Sequence, residues 1–320
     1  MMLAGHDEAW VEWRAALHGP RLHHGWILSG RRGIGKATFA MAAARELVAQ
    51  DGVHQPRGDH PDIIRLAALP ASTEDERKRD EGKPFKIKRS ISVDQIRGVQ
   101  QRLTTRPTLG ARRVIIIDPA DELEANAANA LLKSLEEPPA GSYFLLVTHR
   151  LSLLLPTLRS RCRVLRFPAL GAEDIDAILR REAGGADEAM RRAAIAAAAG
   201  SPGAALDFVE LELGRMHALM VDIAEQGDAD FTRRGRLAAE MGARPDRKRQ
   251  QAAIDLARGV IAGRMRDVSP HAIPALAQAH ADLVRLGIQM PTHNFDPGLL
   301  VMEIGTLLAS VAVPRDAAHG

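Results

Sequence analysis

The sequence predicts an α/β domain built on a parallel sheet, followed by an all-helical remainder. Apolar runs such as Val114-Ile115-Ile116-Ile117 and Phe144-Leu145-Leu146-Val147 do not alternate with polar residues, as expected of strands covered by helices on both faces. A glycine-rich loop lies between a strand-like run and an alanine-rich helical stretch. Strand signals stop at Pro168, after which only helical patterns follow.

Taken in order, Trp26–Ser29 reads as the first strand, Gly30–Lys36 (GRRGIGK) as the loop and Lys36–Val48 as the helix it opens. Asp62–Leu66 is the second strand. Thr73–Ser90 is dense in charges of both signs and poor in apolar anchors, so it is expected to be a solvated excursion rather than a basic patch for DNA. Ser92 with Gln95 forms a capping box for a helix over Ser92–Leu103. Arg113–Ile117, Tyr143–Thr148 and Val164–Phe167 complete the strands. Helices are expected over Glu173–Glu182 and Asp187–Ala199, from near Ser201, and over Arg249–Met265, His271–Gly287 and Pro297–Val311, with Asp296 before Pro297 a good start. These patterns divide the chain into a nucleotide-binding domain (1–168), a small helical domain (169–208) and a larger helical domain (209–320).

The chain has 320 residues, of which 46% are apolar, enough for buried cores, and no run approaches a membrane span. The start Met1–Glu8 lacks the layout of a secretory signal, and a cytoplasmic location is expected. A single cysteine, Cys162, excludes an internal disulfide and a cysteine-rich zinc cluster. The net charge of +3 gives only mild attraction to nucleic acid, and with 3% aromatics the chain is short of stacking platforms for single strands.

The loop carries the chemistry. In a phosphate-binding loop, glycines let backbone N–H groups curl around phosphate oxygens, a lysine reaches the β- and γ-phosphates, and a following Ser or Thr ligates magnesium. Gly30, Gly33, Gly35 and Lys36 fit, but the hydroxyl position is Ala37. Thr38 is the next hydroxyl, rotated by about 100° on a helix, so it does not simply substitute. Asp118, at the carboxyl end of the Arg113–Ile117 strand, occupies the place of a magnesium-holding carboxylate. The next residue, where a water-orienting acid would serve hydrolysis, is Pro119, with Asp121 and Glu122 as nearby stand-ins. ATP or ADP is the ligand this degenerate loop would take, none is required, and little intrinsic hydrolysis is expected.

Asn126–Pro139 (NAANALLKSLEEPP), Phe144–His149 (FLLVTH) and Leu158–Cys162 (LRSRC) resemble the clamp-loader branch of the AAA+ ATPases, over about the first 205 residues. The resemblance implies a P-loop parallel sheet with a helical lid, then a helical collar. It implies that Arg161 is an arginine finger supplied in trans, and that Ser160 and Cys162 pack and position it. Thr148 would be the polar sensor of the γ-phosphate. At the segment Gly200-Ser201-Pro202-Gly203, Gly203 replaces the arginine that active members direct at the nucleotide. The implied partners are tau/gamma-type ATPase subunits and a delta subunit in a hetero-pentamer, with a sliding clamp and primed DNA reached through the complex, as part of a DNA-directed DNA polymerase holoenzyme. No membrane is involved.

Two other readings remain open at this level. An active tau/gamma-type ATPase would use Lys36 and Asp118, with Asp121 or Glu122 standing in, against the substitutions at Ala37, Pro119 and Gly203. A direct nucleic-acid binder would use the arginine clusters Arg233–Arg236 and Arg244–Arg249. The resemblance also brings the expectation of a four-cysteine zinc module, but Val48–Asp62 offers only His54 and His60; no zinc is expected, and both histidines are read as surface or turn residues.

Overall fold

The computed structural model describes residues 5–83, 85–265, 268–290 and 296–312. Its contacts divide the chain into two compact units, residues 1–169 and 170–320. Met1–Ala4, half of the stretch read for a signal, lie outside the described residues.

The first unit is an α/β layer structure. Its strands are β1 (Gly25–Gly30), β2 (Ile63–Leu66), β3 (Arg113–Ile117), β4 (Ser142–Thr148) and β5 (Arg163–Phe167). Its helices are α1 (Asp7–Leu17), α2 (Lys36–Val48), α3 (Thr73–Asp80), α4 (Val93–Leu103), α5 (Ala125–Glu136) and α6 (Pro156–Arg159). The strands are all parallel, in the order β2-β3-β4-β1-β5. Ser29 pairs with Thr148 and Gly30 with Phe167, so the carboxyl ends of β1, β4 and β5 share one sheet edge. Ligand sites of open parallel sheets lie at that edge.

Burial explains the non-alternating runs: every residue of β3 is buried, as are Phe144–Val147 of β4. One face packs on α4 and α5 through Ile96, Val99, Ala127 and Leu131. At β1 and β5, Trp13, Trp26, Phe39 and Phe167 make edge-on ring contacts that bind α1 and α2 to the strands. A buried ion pair ties β2 to β3. Asp62 accepts from the N–H groups of Thr108 (2.7 Å) and Leu109 (2.8 Å), and the Arg113 guanidinium lies 3.4 Å away.

The excursion after β2 is not featureless. Ser72 caps α3 by accepting from the Asp75 N–H at 3.2 Å, and acids in its first turn face bases in its last, which suits the helix dipole. Gln95 accepts from the Ser92 N–H at 3.1 Å at the start of α4, as the capping box requires.

The second unit is helical: α7 (Ala172–Glu182), α8 (Glu188–Ala198), α9 (Pro202–Glu210), α10 (Gly214–Gln226), α11 (Thr232–Met241), α12 (Arg247–Arg264), α13 (Ile273–Gln289) and α14 (Pro297–Ala309). A single buried cluster runs from Ile175 through Phe208, Met220 and Leu283 to Leu308, so these helices share a core. Asp296 caps α14 by accepting from the N–H groups of Gly298 and Leu299 at 2.9 and 3.0 Å. Among the described residues no helix is long and apolar enough to cross a membrane.

Candidate functional site

The glycine loop leaves β1 and enters α2. At Gly30 an added Cβ would stand 2.6 Å from the Phe167 carbonyl oxygen, so the close approach of β5 excludes a side chain. Gly33 (φ 74°) and Gly35 (φ 102°) hold left-handed backbone that other residues adopt only under strain. Behind the loop, His6 Nε2 lies 2.7 Å from the Ile34 carbonyl oxygen, and its ring meets Phe167 edge-on. No motif marks His6.

Lys36 opens α2 and is 3% exposed. Its ammonium donates to the carbonyls of Gly30 (2.7 Å) and Arg31 (2.6 Å), so it closes a ring with its own loop. Burial lowers its pKa to about 8, against the pull of Asp121 and Asp118. Ala37 and Thr38 are both exposed.

The carboxylates behind the loop are engaged. Asp118 accepts from the Arg65 guanidinium at 2.8 Å, so a cation from β2 already faces the candidate magnesium ligand. Asp121, one of the two acids an ATPase reading would use to orient water, is held by two donors. One oxygen accepts from the Thr148 hydroxyl at 2.5 Å and the other from the His149 N–H at 2.6 Å. Thr148, fully buried, also accepts from the Arg150 N–H at 3.1 Å. Beside them the His149 imidazole is held neutral, its pKa pushed down to about 3 by burial and then by Lys36, Arg32 and Arg150. Its Nδ1 is buried without a hydrogen-bond partner among the described residues. Asp118 and Asp121 beside the glycine loop are thus tied to neighbouring donors. Sequence spacing gave no sign of the Asp121–Thr148 bond or of Arg65, because both join separate loops and strands.

Arg161 follows α6 and its side chain is 35% exposed. Its Nη2 lies 2.6 Å from Glu136 Oε1, and Nη1 donates to the Thr157 carbonyl (3.0 Å) and Ser160 Oγ (3.3 Å). Cys162 is half-buried beside β1, its thiol pushed up to about 12 by desolvation, with Sγ 2.9 Å from where a Gly25 Cβ would stand.

The remaining candidates divide. His54 is exposed, but His60 is a buried turn-former: its Nε2 lies 2.8 Å from Gln55 Oε1 and its Nδ1 accepts from the Asp62 N–H at 3.0 Å. The arginine clusters are partly turned to internal use, while Arg236, Arg244 and Arg247 are exposed. Arg234 is buried against Asp228 at 2.8 Å, and Arg249 donates to the carbonyls of Leu211 and Glu240. Lys248 bridges Asp207 and Glu210. Gly203 lies in the first turn of α9 and brings no side chain.

The profile of the family described as "DNA polymerase III, delta subunit" matches residues 5–171, more than half of the chain. The chain belongs to that family. Among DNA polymerase III relatives, the delta' subunit of Escherichia coli K12 is 34% identical over 208 residues, covering 60% of this chain and 56% of that protein. The delta' subunit of Pseudomonas aeruginosa is 34% identical over 161 residues, covering 47% and 44%. The chain therefore spans about half the length of the curated relatives it matches. A DNA polymerase III gamma subunit-related protein from Thermotoga maritima has a solved structure that covers 95% of this chain and 99% of its own at 17% identity, with a TM-score of 0.46.

Proposed function

We propose that this member of the DNA polymerase III delta subunit family is a delta'-type stator of a bacterial clamp loader. It assembles with tau/gamma-type ATPase subunits and a delta subunit, and its Arg161 completes the nucleotide site of a neighbour. Residues 169–208 act as the lid and residues 209–320 as the collar of the pentamer.

The observation that carries this reading is the contrast between the two candidate charge centres. In the cradle, Lys36 is bound to its loop, Asp118 to Arg65, and both oxygens of Asp121 to Thr148 and His149. That supports a site that holds an anion and turns it over slowly. Arg161 instead is half-exposed: it donates to the Thr157 carbonyl and the Ser160 hydroxyl just before it and pairs with the exposed Glu136, a surface ion pair of a kind worth only about 0–1 kcal/mol that a phosphate could replace. A motor subunit would instead need its lysine and carboxylates free to meet ATP, magnesium and the attacking water.

The test is a complex reconstituted with Arg161→Ala. ATP hydrolysis stimulated by clamp and DNA should fall by roughly 10³-fold at the site this chain serves, with assembly intact. Unchanged turnover in an intact complex removes the finger. Hydrolysis by the isolated chain at the rate of a working motor would overturn the stator reading and favour the tau/gamma type.

A further inference from the structure

The excursion between β2 and α4 sorts its charges. Along α3 the acids and bases pair locally: Lys78 with Glu74, Arg77 with Glu81 and Arg79 with Asp80. Asp75 accepts from the Ser72 hydroxyl and the Lys86 N–H. Lys83 pairs with Glu81 at 2.7 Å. Lys86 and Lys88 lie within ion-pair distance of no carboxylate among the described residues.

Those two lysines sit on a short antiparallel ribbon, joined at Pro70 and Ile87. The Ala71 N–H donates to the Lys86 carbonyl at 2.9 Å and the Lys88 N–H to the Leu69 carbonyl at 2.6 Å. Because these bonds come from the residues on either side of Ile87, its own N–H and C=O point along the outer edge and have no partner among the described residues. Side chains alternate on such a strand, so Phe85 and Ile87 share one face while Lys86 and Lys88 share the other with Leu69. Leu69, Phe85 and Ile87 are 40%, 39% and 42% exposed. An open edge with exposed apolar residues is what native sheets usually cover or blunt.

We propose that this edge docks an extended peptide segment in which acidic residues alternate with apolar ones. Added as a further strand, such a segment would pair with the Ile87 backbone, set its apolar side chains beside Phe85 and Ile87, and set its carboxylates beside Lys86 and Lys88. Nucleic acid fits less well. One ring is a poor stacking platform, phosphates would leave Phe85 and Ile87 uncovered, and only a peptide matches both the donor and the acceptor of Ile87.

The probe is a fluorescein-labelled peptide Asp-Phe-Asp-Ile-Asp-Phe-Asp, titrated with the full-length protein and followed by anisotropy. Saturable binding is expected. It should weaken about tenfold in Lys86→Glu/Lys88→Glu, about tenfold in Phe85→Ser/Ile87→Ser, and similarly when the probe's apolar residues become serine, equivalent to about 1.4 kcal/mol in each case. Hydrogen exchange at the Ile87 amide should slow in the complex. All four residues are exposed, and circular dichroism checks that both variants fold. Absence of saturable binding, equal binding by either double variant, or tighter binding of an oligothymidylate lost in the lysine variant would overturn the proposal, the last in favour of nucleic acid.

Discussion

Replacing Asp62 with alanine isolates the contact that ties β2 to β3. The carboxylate is fully buried, and its loss strands the Arg113 guanidinium, whose side chain is 5% exposed. Arg113 keeps the carbonyls of Thr105 and Arg106, so its terminal Nη1 and Nη2 groups stay bonded while its charge loses its counter-ion; its buried Nε has no partner among the described residues in either case. Thr108 is exposed, so water can take its released amide, and the dominant cost is the broken buried pair, about 3–5 kcal/mol. All three tryptophans, Trp10, Trp13 and Trp26, lie in the first unit, so their fluorescence reports its unfolding alone. At a urea dependence of about 2 kcal/mol per molar, the midpoint should fall by roughly 2 M. Arg113→Met in the same background should recover part of the loss, because no unpaired charge remains. The effect has a pH signature. Burial alone would raise the Asp62 pKa, but the amides of Leu109 and Thr108 and the Arg113 guanidinium hold it below the usual carboxylate value. A group depressed in the folded state stabilises above its unfolded pKa of about 3.9 and loses that contribution as pH falls through the folded value. The gap between wild type and Asp62→Ala should therefore narrow below about pH 4. A loss under about 1 kcal/mol at neutral pH, or a double variant no better than the single one, would refute the reasoning.

Gly30→Ala pushes a methyl group to 2.6 Å from the Phe167 carbonyl, so the β1–β5 pairing must part. A destabilisation of about 1–3 kcal/mol is expected in the same fluorescence assay. Lys36 carries its proton weakly, with a pKa of about 8. A bound phosphate would raise that value, so anion affinity at the cradle should fall as pH rises through about 8, with proton uptake on binding near that pH, seen by calorimetry in buffers of different ionisation enthalpy. Thr148→Val removes the hydroxyl from Asp121 and should leave that carboxylate half-satisfied, lowering stability by about 1–3 kcal/mol even if no nucleotide binds.

The sheet was legible because its central strands are apolar on both faces, which few other elements are: Arg113–Ile117 was placed to the residue, and Lys36–Val48 likewise, since the loop glycines mark where that helix begins. The excursion was read by composition, and that hid α3. Ser72 as cap, three acids and then three bases were local helix signals that overall polarity outweighed. The cradle's residues were legible one by one, but their use was not. Whether Asp121 faces water or Thr148 depends on two segments 27 residues apart. Arg234 shows the same limit from the other side, since an arginine among arginines reads as solvated and is in fact held in the core by Asp228.

The ring that Lys36 closes with Gly30 and Arg31 has a bearing on how the loop greets a ligand. Most anion-binding loops lose motional freedom when the anion arrives, and that ordering subtracts from affinity. Here the lysine already ties two of the loop's carbonyls together, so part of the backbone is arrested in advance and an incoming phosphate meets a cation that is in place before it arrives.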